Sequence, residues 1–318
     1  MKKYIVIITI MVVAAVILWM AQYRSAKNEA SIAIIMTLSH PALQDAKAGF
    51  LRAVEPLGLA IKEYNAEGNV AQANLIAQQI AHDANVVGIF TIGTLAAQAA
   101  VRAEHKRPIV IAAVSDAKTI ADPLPDNLCG LSDGLDADWQ IKTVKKLLPS
   151  IKSVSFLYSP HEANAASAVK DLLLAADHEG LSAHPVGVHD AQSIMTASLD
   201  ACQKSDAVLI PLDNQLVAAM PAVIKAVKHL SCPIITSNES PIHQGASIAF
   251  GVDYQQSGHD AGVLMERIIL HKELPSSLGV KPPQTVSLYI NKPALLDKQI
   301  TIADNHDLPV VIIDEVQP

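Results

Sequence analysis

Aromatic side chains are scarce in this sequence. Phe, Trp and Tyr together make up 4% of the 318 residues, although half of all residues are hydrophobic. The cores must therefore consist mainly of Ala, Val, Ile and Leu. A chain of this length and apolar content is sufficient for two domains of ordinary size, each with its own core.

Basic residues are also few beyond the N-terminus. Three of the 24 Lys and Arg residues lie within the first 24 positions, which leaves 21 of them against 31 Asp and Glu, a net charge of −10. This net negative charge argues against nucleic acid and against an anionic lipid surface as binding partners.

Signatures of the common catalytic and cofactor sites are missing. The sequence has no G-x-G-x-x-G, G-x-S-x-G or H-E-x-x-H, the patterns of a dinucleotide site, a nucleophile elbow and a zinc site. Gly88 and Gly93 have the outer spacing of a phosphate-binding loop, but Thr94 follows where that loop requires Lys. Glu162 and Asp213 are candidates for an acid/base pair, yet no nucleophile or metal ligand accompanies them. The sequence therefore predicts no enzyme, no metal site and no cofactor.

Only three cysteines occur, at positions 129, 202 and 232. An odd number at wide spacing is typical of buried free thiols, and a disulfide between Cys202 and Cys232 is the alternative. Spacing along the chain does not decide between them, because a disulfide depends on the geometry of the folded backbone.

The N-terminus contains the one long hydrophobic run. Residues 4–21 carry no charge and follow Lys2 and Lys3, which is the positive flank of an export signal or a membrane anchor. The run is longer than the core of a usual signal peptide, and residues 18–21 offer no good cleavage site. We therefore expect residues 1–30 to be an uncleaved anchor in the cytoplasmic membrane, with a cleaved signal as the alternative. The rest of the chain is expected outside the cytoplasm.

Six apolar runs each end on a small polar cluster where a helix is expected to begin. Their β-branched and aliphatic residues are typical of strands buried on both faces of a parallel sheet, and the polar residues at their ends are typical helix caps. In open α/β sheets ligands bind outside the carboxyl ends of the strands, so these junctions predict a site for a small polar ligand. The runs are 32–42, 86–98, 109–117, 153–165, 207–214 and 233–240.

Strands and helices alternate in two series, separated by the Gly-, Asp- and Ser-rich segment 127–140. This alternation predicts an α/β fold with two doubly wound parallel-sheet lobes joined by a multi-strand hinge. We expect lobe 1 to comprise residues 31–128 and 246–273, and lobe 2 to comprise residues 129–245 and 274–318.

Several junctions, taken in order, resemble one family. The segments are NAEGN (65–69), TLAAQA (94–99), AAVSDA (112–117), NLCGLSD (127–133), LYSPHEANA (157–165), PLDN (211–214) and GASIAFGVDYQQSG (245–258). Over about residues 31–303 the chain is similar to ABC transporter substrate-binding proteins of the TrpX-like group, whose members include binders of aromatic amino acids. The resemblance implies a type I periplasmic-binding-protein fold, a small ligand held between two lobes, and the permease subunits of an ABC transporter as partners.

The resemblance also implies ligand-binding roles at matching positions. These positions are Thr94, Ser115, Asp116, Glu162, Asn164, Asp213 and Asn214. The chain departs from the family at Leu95 and Ala117, where Pro is frequent, and at Ser39, where an acidic residue commonly precedes the His-Pro pair.

An amino acid is a zwitterion, so its pocket needs donors for the carboxylate and acceptors for the ammonium group. Thr94 and Ser115 at predicted helix N-termini suit the carboxylate, with simple helix capping as the alternative. Asp213 and Glu162 suit the ammonium group, with an Asx-type turn as the alternative for Asp213. Tyr158 is placed either to stack on a flat ligand or to pack in a core. The full set of candidate ligand-binding residues is Ser39, Thr94, Ser115, Asp116, Tyr158, Glu162, Asn164, Asp213, Asn214 and Asn238.

Three functions compete on this basis. The first is capture of a small polar solute for import, such as an amino acid, aromatic ones included. The alternative is a membrane-tethered ligand-sensing domain that acts through a separate partner protein. An enzyme on the same α/β architecture comes last, since fold alone never excludes one but no catalytic signature supports it.

Overall fold

Two α/β lobes make up the part of the chain that the computed structural model describes, residues 30–283, 286–303 and 310–314. The predicted membrane segment, residues 4–21, lies outside these ranges. Within them, no helix is both long and apolar enough to cross a membrane. The prediction of two lobes built on mostly parallel sheets is confirmed.

Among the described residues, six strands and five helices form the first lobe. The strands are β1 Ser31–Met36, β2 Ala60–Asn65, β3 Val86–Ile92, β4 Ile109–Val114, β5 Leu128–Ser132 and β11 Val280–Lys281. The helices are α1 Pro41–Val54, α2 Val70–Ala81, α3 Thr94–Ala103, α9 Tyr254–His271 and α10 Pro275–Leu278, with short 3-10 turns at Glu55–Leu57 and Ala117–Thr119. The strands are all parallel, in the spatial order β11-β5-β4-β3-β1-β2.

Both faces of this first sheet are covered by helices. Along β1, Ile32 and Ile34 pack against α1 and α9, whereas Ala33 and Ile35 pack against α2 and α3. Alternate residues of a strand point to opposite faces, so a strand between two helical layers must be apolar throughout. This accounts for the unbroken apolar runs in the sequence.

In the described part of the chain, the second lobe is built on seven strands and six helices. The strands are β6 Ser153–Tyr158, β7 Ser182–Gly187, β8 Ala207–Ile210, β9 Ile234–Thr236, β10 Ile248–Val252, β12 Val286–Asn291 and β13 Val310–Ile313. The helices are α4 Ala137–Leu147, α5 Ala163–His178, α6 Ile194–Lys204, α7 Asn214–Ala218, α8 Met220–Val227 and α11 Lys292–Asp297, with a 3-10 turn at Ser240–Gln244. The spatial order is β13-β12-β10-β9-β8-β6-β7, and only β10 and β12 pair antiparallel.

Polar residues start most of the helices, as the sequence predicts, but Gly93, Ala219 and Leu274 precede α3, α8 and α10. Side-chain oxygens accept a hydrogen bond from the backbone N–H three residues later at Asn69, Asp136, Asp213, Asp253 and Asn291. The N-cap of α3 is instead Gly93, with φ 89°. A Cβ at Gly93 would lie 2.5 Å from Oγ1 of Thr37, and that oxygen accepts a hydrogen bond of 3.1 Å from the Ala96 N–H. Only glycine therefore fits at position 93, where the backbone passes between Thr37 and the first turn of α3.

The chain crosses between the lobes three times, and the predicted lobe boundaries were wrong at each crossing. β5 belongs to the first sheet, β10 to the second, and α10 with β11 to the first. The first two crossings therefore lie at residues 133–136 and 253, and the third follows β11, so each comes after a strand has been completed. Alternation along the sequence shows where strands lie but not which sheet each one joins, because that depends on pairing with distant strands.

A disulfide joins Cys202 at the end of α6 to Cys232 just before β9. The expectation of free thiols was wrong for this pair, since the fold brings their Cα atoms to 5.7 Å. Cys129 is a free thiol buried in β5, and burial raises its pKa to about 12. A structural disulfide is typical of an oxidising compartment outside the cytoplasm.

Candidate ligand-binding site

Three adjoining cavities lie between the lobes, and Asn164 at the start of α5 borders all of them. The central cavity, of about 20 Å³, is lined mainly by polar residues. The α3 cavity, of about 110 Å³, lies between the first turns of α3 and α5. The α4 cavity, of about 70 Å³, is lined by Leu135, Ala137 and Leu172 among others. Together they form the interlobe cleft.

Loops that follow the carboxyl ends of strands supply the central cavity, as expected for an open parallel sheet. The first lobe contributes His40, Ser115, Asp133 and Tyr254, and the second contributes Asn164, Asp213, Asn214 and Asn238. Five of the ten predicted site residues therefore meet in this cavity, and they come from both predicted lobes.

Asp133 is a buried carboxylate of the central cavity with one unpaired oxygen among the described residues. Its side chain is 4% exposed. Oδ2 accepts a hydrogen bond of 2.7 Å from the Tyr254 hydroxyl, while Oδ1 is buried without a partner among the described residues. Burial raises the pKa of Asp133 to about 6, and the bond from Tyr254 opposes that rise. A buried polar atom without a partner is costly, which makes Oδ1 a candidate ligand contact.

His40 presents a second unpaired acceptor. Its Nε2 lies 3.1 Å from Oδ1 of Asn214, across the cleft. The Asn214 amide nitrogen donates to Glu162, so Asn214 Oδ1 accepts and His40 Nε2 carries the proton. Burial lowers the pKa of His40, which favours the neutral ring. Nδ1 is then an acceptor, and it is buried without a partner in the described part of the chain.

Ser115 lies just beyond an irregular stretch of β4. The pairing of β4 with β5 shifts register between Ile111 and Val114, and Ala113 adopts φ 55°, a left-handed conformation that costs an alanine about 1–2 kcal/mol. Such irregularities re-aim side chains next to functional sites. The Ser115 hydroxyl is buried and has no partner among the described residues.

The carboxylates of Asp213 and Glu162 each accept three hydrogen bonds from other groups of the protein. Asp213 accepts hydrogen bonds from the N–H (2.5 Å) and hydroxyl (3.1 Å) of Ser159 and from the Leu216 N–H (2.8 Å). Glu162 accepts from the backbone and amide nitrogens of Asn214 and from the Gln215 N–H, at 2.8–3.0 Å. Burial and the Glu162 carboxylate raise the pKa of Asp213. Asp213 is thus the N-cap of α7, the turn that the sequence offered as the alternative to ligand contact.

Thr94 lines the cleft, whereas Asp116 lines none of the three cavities and contacts the other lobe. Thr94 is the first residue of α3, not its cap, and it lines the α3 cavity with Leu95 and Gln98. Asp116 caps a 3-10 turn, and its Oδ2 accepts a hydrogen bond of 3.2 Å from Ser167 on the other lobe. With the contact between His40 and Asn214, this bond joins the two lobes across the cleft.

The remaining predicted residues differ in their placement. Asn238 is buried in the central cavity, where its Oδ1 accepts from the N–H and hydroxyl of Ser240. Ser39 is exposed and accepts from Gln44. Tyr158 packs against the core of the second lobe. Neither Ser39 nor Tyr158 lines the three cavities, and for Tyr158 the structure shows the core role offered as the alternative.

Reasoning from the sequence missed the contributions of His40, Asp133 and Tyr254. Asp133 directly follows the buried strand β5, so the rule applied to the six apolar runs would have found it. The Gly, Ser and Asp residues around it indicated only a crossing between lobes. His40 carries a weaker signal, a polar residue between β1 and the Pro that starts α1.

The chain matches known proteins along most of its length. A family model described as "ABC transporter substrate binding protein" matches residues 31–308. The "Tyrosine-binding protein" of Clostridioides difficile (strain R20291) is 30% identical over 293 residues, covering 88% of this chain and 84% of that protein.

Solved structures agree with the fold. A conserved domain protein from Vibrio cholerae superposes with a TM-score of 0.81 at 30% identity, covering 87% of this chain and 96% of that one. An ABC domain in complex with L-Trp from Streptococcus pneumonia superposes with a TM-score of 0.82 at 24% identity, covering 89% and 100%. By its sequence and its two-lobed type I periplasmic-binding-protein fold, the chain belongs to the family of ABC transporter substrate-binding proteins.

Proposed function

We propose that this protein captures an amino acid, aromatic ones included, in its interlobe cleft outside the cytoplasm and presents it to the permease of an ABC importer. The observation that carries the proposal is the central cavity, where buried polar atoms of His40, Ser115 and Asp133 have no partner among the residues that the structure describes. A ligand with hydrogen-bonding groups satisfies atoms that the protein alone leaves unpaired.

Hydrogen bonds between the two lobes support this role. His40 and Asp116 of the first lobe contact Asn214 and Ser167 of the second, and three polypeptide crossings form the hinge. A ligand that touches both lobes binds the closed form better than the open form, and it shifts the population toward closure. A permease that recognises only the closed form would then distinguish loaded from empty protein.

The relatives favour an amino acid as the ligand. One curated relative is named a tyrosine-binding protein, and one neighbour in the fold was solved with L-Trp. The α4 cavity offers this chain an apolar wall of Leu135, Ala137 and Leu172 for a ligand side chain.

A thermal-shift screen against the twenty L-amino acids tests the proposal. A ligand present at 100 times its dissociation constant stabilises the folded state by about 2.7 kcal/mol. We expect a shift of that order for one or a few amino acids, with the ligand recovered unchanged afterwards. No shift for any amino acid would contradict the proposal, and consumption of the ligand would indicate an enzyme.

A further inference from the structure

We propose that the cleft recognises its ligand through a primary ammonium group bound to Asp133, and that the ligand's carboxylate is dispensable. The inference rests on the proposed function and names its ligand class: primary amines, with or without a carboxylate. An amine such as tyramine should then bind about as well as the amino acid from which it derives.

The unpaired atoms of the central cavity form an acceptor set. Asp133 Oδ1 is a carboxylate oxygen and His40 Nδ1 is a ring lone pair, and both are buried without partners among the described residues. Ser115 Oγ, the third unpaired atom, accepts as readily as it donates. An ammonium group has three N–H donors and no acceptor, so it can donate one hydrogen bond to each of these three atoms. A carboxylate in the same place would face Asp133 and find no fixed donor among these atoms.

Asp133 is the carboxylate of the cleft that is free to take the charge. Asp213 and Glu162 each accept three hydrogen bonds from the protein, and Asp171 lies exposed at the edge of the α4 cavity. Asp133 receives one bond, from Tyr254, and keeps Oδ1 unpaired. Hydrogen bonds between charged groups are the strongest available in such a place.

The size of the central cavity agrees with a single small group. Its volume of about 20 Å³ exceeds the roughly 10–15 Å³ that one water-sized group requires, and it is far too small for a ring. The ammonium group therefore fits inside, and the rest of the ligand extends past Asn164 into the two larger cavities.

The described residues of the cleft offer the carboxylate of an amino acid no Lys or Arg. Among the described residues that line the three cavities there is no Lys and no Arg, whereas four are Asp or Glu. The donors that remain for a carboxylate are the His161 ring and neutral groups, such as the backbone N–H groups in the first turn of α3. Their weaker bonds are offset by repulsion from the acidic side chains, so losing the carboxylate changes the affinity little.

Calorimetry with a matched ligand series tests the inference on the full-length chain purified in mild detergent. The probes are L-tyrosine, tyramine, which lacks the carboxylate, and N-acetyl-L-tyrosine, which lacks the ammonium charge; L-tryptophan, tryptamine and N-acetyl-L-tryptophan form a parallel series. We expect each amine within tenfold of its amino acid and each acetylated compound at least a hundredfold weaker.

Two variants assign the effect to Asp133. Asp133→Asn keeps an acceptor for the Tyr254 hydroxyl and should weaken tyramine binding at least a hundredfold. Asp260→Asn removes a carboxylate of α9 that accepts a hydrogen bond from Gln256 and lines none of the three cavities of the cleft, and it should leave the affinity within threefold. Circular dichroism checks that both variants are folded.

The outcomes separate this inference from the proposed function. If an amino acid binds but its amine is more than a hundredfold weaker, the inference fails and the proposed function stands. Full affinity of Asp133→Asn for tyramine would overturn the inference in the same way. If none of the twenty amino acids and neither amine binds, the proposed function fails as well.

Discussion

Replacing Asp133 by Asn should make the empty protein more stable while it removes ligand binding. Burial raises the pKa of Asp133 from its ordinary 3.8 to about 6. The folded state therefore holds this proton more tightly than the unfolded state, and ionising the group as the pH rises through 6 costs folding free energy. At pH 8 the full shift of about two pKa units corresponds to about 3 kcal/mol. At pH 4 the carboxyl is protonated in the folded chain, and the cost falls to about 0.5 kcal/mol.

Urea denaturation of wild type and Asp133→Asn, without ligand, measures this cost. We expect the variant to be more stable by up to about 3 kcal/mol at pH 8 and the two proteins to be nearly equal at pH 4. Any packing effect of Asn acts at both pH values, and the other titrating groups are common to both proteins, so the pH-dependent part belongs to Asp133. A stability difference that stays constant from pH 8 to pH 4 would refute the reasoning, because the carboxylate would then not be destabilised by burial.

Three further predictions concern other parts of the chain. Tyr254→Phe removes the hydrogen bond that lowers the pKa of Asp133. The pH below which the affinity for tyramine declines should therefore move up from about 6. Calorimetry from pH 5 to 8 measures this, and an unchanged pH profile would contradict it. Cys202→Ser should lower the free energy of unfolding by about 3–4 kcal/mol, the loop-entropy value for a separation of 30 residues. In urea titrations, reducing the disulfide of the wild type should lower its free energy of unfolding by the same amount. Residues 4–21 should keep the protein in the membrane fraction; mature protein free in the periplasm with a new N-terminus near residue 25 would contradict the anchor.

Local patterns were sufficient to predict the architecture but not the lobe boundaries. The apolar runs and their polar ends follow from short-range rules, since a strand buried on both faces must be apolar and a helix needs a cap. Membership of β5 and β10 in one sheet or the other depends on strands far away in the sequence. Repeating strand and helix patterns do not carry that information.

The candidate site was predicted as a region more accurately than as a set of contacts. Asn164, Asn214 and Asn238 do line the cleft. Asp213 and Glu162 also lie there, but their oxygens are occupied by Ser159 and by the first turn of α7. Whether a carboxylate caps a helix or faces a ligand is decided by which donors the fold brings near it, and the sequence does not show those donors.

A crystal structure of the protein with L-tyrosine bound would test the central claim most directly. We predict closed lobes, with the ammonium nitrogen in the central cavity within about 3.2 Å of Asp133 Oδ1 and the aromatic ring in one of the two larger cavities. A carboxylate in the central cavity, with the ammonium group bound elsewhere, would contradict the account of recognition. Tyrosine bound outside the interlobe cleft would contradict the proposed site itself.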